Sequence, residues 1–106
     1  MKHYGVIELD VTDRAWARDY VANVTGMVER YGGRYLARTA TIEHTEGERE
    51  SPQLFVLIEW PSKAVADRFY ESEEYRPYRE ARCAGSRTDI FLVAGEDMNG
   101  VARIEP

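Results

Sequence analysis

Glu59 stands near the end of the most apolar stretch of the chain, Gln53-Leu54-Phe55-Val56-Leu57-Ile58-Glu59-Trp60. On an extended segment it shares a side with Phe55 and Leu57. A carboxylate in such company has to be paired, hydrogen-bonded or protonated. Desolvation would raise its pKa and make it a general acid or base, whereas an arginine partner would lower it. A strand-end glutamate that simply reaches water is the plainer alternative. Arg38 is the second candidate, on a strand-like segment and on the side of Leu36. It could hold an anionic substrate or a developing enolate, or pair with Glu59 or Glu8 in a fork. Glu59 moving a proton while Arg38 steadies the oxyanion is the catalytic pair these residues offer.

Other residues carry weaker signals. Arg76, Arg79 and Arg82 fall three apart on a short helix beside Tyr75 and Tyr78. That row reads either as an anion site or as a solvated stripe balancing Glu71, Glu73 and Glu74. Tyr75 is a hydroxyl donor or an amphipathic core residue. Glu43, His44 and Glu46 lie in a polar loop without a second histidine nearby, short of the three placed ligands a catalytic zinc wants. Cys83 is the single cysteine, so there is no internal disulfide and no resolving partner. Gly32-Gly33 lacks the lysine and Ser/Thr of a phosphate loop and reads as a helix stop. No cofactor is expected, because neither a metal cluster nor a Gly-rich dinucleotide loop after the first strand is present.

These residues need elements to hold them. Gly5–Val11 alternates as a strand, with Ile7, Leu9 and Val11 on one side. Thr12 or Asp13 offers an N-cap, and Trp16, Tyr20, Val24, Met27, Val28 and Tyr31 form a helical stripe ended by Gly32-Gly33. A second strand runs from Arg34 to Ile42, followed by a polar loop to Pro52. Leu54 to Trp60 is apolar on both sides, which predicts a central strand covered twice. Ser62 caps a helix with Ala66, Phe69 and Tyr70 as its stripe, and a short helix over about 73–83 follows with Pro77 in its early turns. Thr88–Ala94 is the last strand, closed by Gly95. The order strand, helix, strand, strand, helix, strand is the split βαβ of an α+β, ferredoxin-like sandwich with a four-stranded antiparallel sheet. Right-handed crossovers put strands one and three in the centre. Residues 1–96 are read as this domain, and residues 97–106 as a polar C-terminal tail.

Two helices cover one face of such a sheet. The other face stays apolar with no segment left to cover it, and monomers rarely leave such a patch bare. A homodimer, sheet against sheet, is therefore predicted; a monomer with a wet ligand groove is the alternative. Across 106 residues the net charge is −5, with 43% hydrophobic and 31% charged residues. That balance argues for a globular chain and against nucleic-acid or anionic-membrane partners. The third strand also lacks the basic and alternating aromatic pattern of an RNA-stacking platform. No apolar run approaches the ~20 residues of a membrane span, and no leader-like core precedes the first strand, so a cytoplasmic protein is predicted.

Tyr31-Gly32-Gly33-Arg34-Tyr35-Leu36-Ala37-Arg38 resembles the "GGRYL-x-R" segment of the domain-of-unknown-function 1330 family. Glu59-Trp60-Pro61-Ser62 resembles its Glu-aromatic-Pro-Ser step, and Phe69 to Tyr75 with Arg82 its "Y-x-S-x-E-Y … R" helix. Asp13 and Gly95 match as well, while Thr39-Ala40 departs from the small residues usual there. The resemblance implies the dimeric α/β-barrel superfamily, whose members include cofactor-free monooxygenases and isomerase-like proteins. It also singles out Tyr75 and Arg82 as substrate-binding. The expected site is one pocket per subunit, between sheet and helices, lined by Arg38, Glu59, Tyr75 and Arg82. The expected function is a cofactor-free enzyme acting on a small enolisable or aromatic compound; the alternative is a non-catalytic small-molecule-binding or structural dimer module.

Overall fold

A computed structural model describes residues 1–105. Strand β1 (His3–Val11) leads through a 3-10 turn (Arg14–Trp16) into helix α1 (Ala17–Arg30). Strands β2 (Arg34–Thr39) and β3 (Leu54–Trp60), helices α2 (Lys63–Tyr70) and α3 (Arg76–Ala84), and strand β4 (Ser86–Ala94) follow. The sheet is antiparallel in the order β2-β3-β1-β4, so β1 and β3 are central, as the crossover argument requires.

Side-chain oxygens fix where the helices begin. Asp13 accepts from the Ala15 amide at 2.9 Å, and Ser62 from the Val65 amide at 3.2 Å. Gly32, at φ +99°, takes the left-handed turn that stops α1. Gly33 is needed for a different reason: a Cβ there would lie 2.6 Å from Val28 Cγ1 and 2.9 Å from Trp60 Cζ3. The core sits between sheet and helices, where Val24, Met27 and Val28 of α1 meet Ile58 and Trp60 of β3 and Ala66 and Phe69 of α2.

Four boundaries differ from the periodicity reading, two of them strand starts, since β1 begins at His3 rather than Gly5 and β4 at Ser86 rather than Thr88. Strand β2 ends at Thr39 rather than Ile42, and α3 starts at Arg76, with Pro77 in the first turn, where a proline's missing N–H costs nothing. A β-bulge also interrupts β2. Tyr35 pairs with Ile58, yet Ala37 pairs with Leu57 and Arg38 with Val56. One extra residue in β2 therefore turns Arg38 to the side of Tyr35 and the helices rather than to the side of Leu36.

Among the described residues no helix covers the sheet's outer face. Tyr4, Val6, Phe55, Leu57, Phe91 and Val93 share it, because Val6 pairs with both Leu57 and Phe91, and Tyr4 with Val93. Phe91 and Val93 are 51% and 47% exposed. The loop between β2 and β3 folds back at one end, where Arg49 reaches Glu8 at 3.4 Å and the Gln53 amide donates to Asp10 Oδ1 at 2.8 Å. The molecule is consequently a slab, 44 × 35 × 17 Å across its Cα atoms. Its radius of gyration, 14.6 Å, exceeds the roughly 13 Å of a compact domain this long. Among the described residues no helix is long and apolar enough to cross a membrane.

Candidate functional site

A cavity of about 490 Å³ lies between the sheet and the three helices. Its floor is the inward side of β1 and β3, from Ile7 and Leu9 to Leu54, Val56 and Ile58. Val24 and Val28 of α1 form part of its roof, and Ile90 and Leu92 of β4 part of its side. Such a volume and such an apolar wall suit a small organic molecule.

The polar groups cluster at α3. Tyr75 and Arg82 are both buried, 3% and 4% exposed. The Tyr75 hydroxyl lies 2.6 Å from that of Tyr20 on α1, in a hydrogen bond. The Nε and Nη2 atoms of Arg82 are shut off from solvent and have no hydrogen-bond partner among the described residues. Arg82 forms no ion pair among the described residues. Burial works against its charge, yet with Tyr75 and then Tyr20 beside it the Arg82 pKa lies above the usual arginine value; Arg82 is therefore charged, while the neutral phenols give it no counter-charge. Burial first, then Tyr75, pushes the Tyr20 phenol far up as well, so Tyr20 stays a neutral donor.

The three arginines of α3 do not share one side. At about 100° per residue, a step of three falls short of a full turn, so a row spaced by three drifts around the helix. Arg76 therefore meets Glu73 at 3.1 Å on the surface, and Arg79 donates to the Tyr70 carbonyl at 2.7 Å while lying over the Tyr70 ring. Only Arg82 turns inward.

Arg38 reaches the cavity wall through the β2 bulge. Its Nη1 donates to Thr25 Oγ1 at 2.8 Å, and its guanidinium lies 4.6 Å from the centre of the Tyr35 ring. It pairs with neither Glu59 nor Glu8. Burial raises the Tyr35 pKa against the pull of Arg38. The cavity's one carboxylate among the described residues, Asp67, is bound to Lys63.

Glu59 is not in this cavity, contrary to the expected lining. Alternation along β3 sends Leu54, Val56, Ile58 and Trp60 inward and Phe55, Leu57 and Glu59 outward. On the outer face Glu59 Oε1 meets Lys2 at 2.9 Å and Oε2 meets Arg34 at 3.1 Å. Lys2 first and then Arg34 hold its carboxyl below the usual carboxylate range, the opposite of what a general base at neutral pH needs. The fold thus brings Arg38, Tyr75 and Arg82 to one cavity and separates Glu59 from them. Tyr20 and Tyr35 complete the polar lining. Tyr20 was legible only as one more member of a core stripe, its position one turn into α1 being the sole hint that it faces α3. Among the described residues no three metal-ligating side chains come together.

Several solved structures share the fold. A protein of unknown function from Rhodopseudomonas palustris superposes with a TM-score of 0.76 at 16% identity, over 91% of this chain and 83% of that one. SnoaB from Streptomyces nogalater, a cofactor-independent oxygenase, gives 0.63 at 17% identity, over 92% and 95%. An antibiotic biosynthesis monooxygenase gives 0.53 at 18% identity, over 92% and 100%. At these identities the likeness is one of fold. None of the curated proteins matches the sequence. Residues 2–96 match the family described as Domain of unknown function (DUF1330), and the chain belongs to that family.

Proposed function

We propose that this protein is a sheet-to-sheet homodimer in which each subunit binds a small, largely apolar molecule bearing an acidic or enolisable oxygen. The observation that carries the reading is Arg82, a buried guanidinium with two unpartnered N–H groups in the wall of an apolar cavity. A buried charge without a counter-charge costs several kcal/mol, and a bound anion removes that cost. The tyrosine pair beside it adds hydroxyl donors, and Arg38 adds positive charge at the wall.

A second reading, turnover, has its support in the same charge. Bound beside Arg82, a phenolic O–H or an enolisable C–H ionises more readily, its proton leaving to water, because the guanidinium favours the anion. The oxyanion role expected of Arg38 then falls chiefly to Arg82. Among the described residues the cavity's one carboxylate, Asp67, is paired with Lys63, so the chain's part is read as stabilising the anion rather than abstracting the proton. SnoaB, described as a cofactor-independent oxygenase, shares the fold and makes dioxygen uptake the reaction to assay.

The test is a thermal-shift screen of small aromatic acids, phenols and enolisable carbonyl compounds, with oxygen uptake followed for every hit. A ligand at a hundred times its Kd stabilises by about 2.7 kcal/mol, a shift of several degrees for a domain of this size. Hits on the wild type that vanish in Arg82→Met support the site; a screen with no stabilising compound overturns it. Oxygen uptake separates turnover from binding alone.

A further inference from the structure

The two unpartnered atoms of Arg82 are Nε and Nη2. In a guanidinium these N–H bonds leave on the same side and run parallel, forming the edge that takes both oxygens of one planar group. A phenolate, an enolate or a single water presents one oxygen and half-fills that edge. A carboxylate fills it.

The surroundings agree with a single planar anion. Among the described residues no carboxylate competes for Arg82, and Asp67 is held by Lys63. The Tyr20 and Tyr75 hydroxyls, now bonded to each other at 2.6 Å, stand next to the guanidinium. A carboxylate accepts up to about four hydrogen bonds, two more than Arg82 supplies from this edge. Neither Arg82 atom has accessible surface as the side chains now stand, so a head group reaches the edge only as the Tyr20–Tyr75 pair parts, and the released hydroxyls can supply those two bonds. Beyond the head group the cavity is walled by Val24, Leu54, Val56, Ile58 and Ile90, which suits a compact apolar body.

We infer that the ligand is a compact apolar monocarboxylate, an aryl carboxylate or one of similar size, its head group held by the Nε–H and Nη2–H edge of Arg82. The inference rests on the reading of this cavity as a small-molecule site and narrows the ligand class within it.

Isothermal titration at neutral pH with 2-naphthoate, 2-naphthamide and 2-naphthol tests it. The three share a ring system, but only the first is then ionised. The wild type should bind naphthoate at least tenfold more tightly than either neutral probe. Arg82→Met should erase that preference. Arg82→Lys keeps the charge but not the fork, and should lose most of it. Circular dichroism checks that both variants fold; if neither does, the wild-type comparison alone decides. Equal or tighter binding of the amide or the naphthol overturns the carboxylate assignment while leaving the small-molecule site standing. So does a naphthoate preference that survives in folded Arg82→Met. If none of the three binds, the carboxylate assignment falls; a blank in the wider screen removes the site itself.

Discussion

Glu59 sits between Lys2 and Arg34 at 2.9 and 3.1 Å, and those cations hold its carboxyl below its ordinary pKa of 4.5. A carboxylate depressed in the folded state stabilises the fold above its unfolded pKa and loses that contribution as pH falls through the lower, folded one. Thermal melts from pH 7 down to pH 3 should therefore show an acid-side loss of stability that is shallower in Glu59→Gln. Ligand binding in the cavity should be unchanged by that substitution, since the side chain lies across the sheet from it. An acid limb identical in both proteins would remove Glu59 from the stability argument. Arg82 makes the complementary point. Its type and place in the helix were visible in the sequence, but its turn inward depends on a drift of the helical row that counting by threes conceals.

Where whole elements lie was largely legible, because hydrophobic period and cap chemistry set them. The runs at 5–11, 54–60 and 88–94 alternate or are uniformly apolar, and Ser62 and Gly32 mark a helix start and a helix stop. The site was legible only in part. Arg38, Tyr75 and Arg82 do share a cavity, but a one-residue bulge in β2 decides which side Arg38 takes, and bulges leave no periodic trace. The turn from α1 to β2 offers a direct test of packing at this scale. An added methyl at Gly33 meets Val28 and Trp60 at under 3 Å, in a core with little room to give. Gly33→Ala should cost about 1–3 kcal/mol, read as a lower urea midpoint with an unchanged slope. Gly26, whose added Cβ would meet nothing within 4 Å, is the control: Gly26→Ala should stabilise α1 by up to about 1 kcal/mol.

At the scale of the molecule the slab shape and the bare outer face belong together. A layer 17 Å thick with Phe91 and Val93 half exposed gains most from a second copy laid against it. Light scattering at micromolar concentration should give twice the chain mass, and melting temperature should rise with concentration. Phe91→Glu, a charge set into that face, should return the mass to one chain; a wild-type monomer would end the dimer proposal. In such an assembly β3 has two duties. Phe55 and Leu57 face the partner while Val56 and Ile58 face the cavity, on neighbouring positions of one seven-residue strand. Selection on assembly and selection on ligand would then be interleaved residue by residue. A saturation scan across 54–60, scored separately for dimer mass and for ligand affinity, should give two sensitivity profiles of period two, each peaking where the other dips.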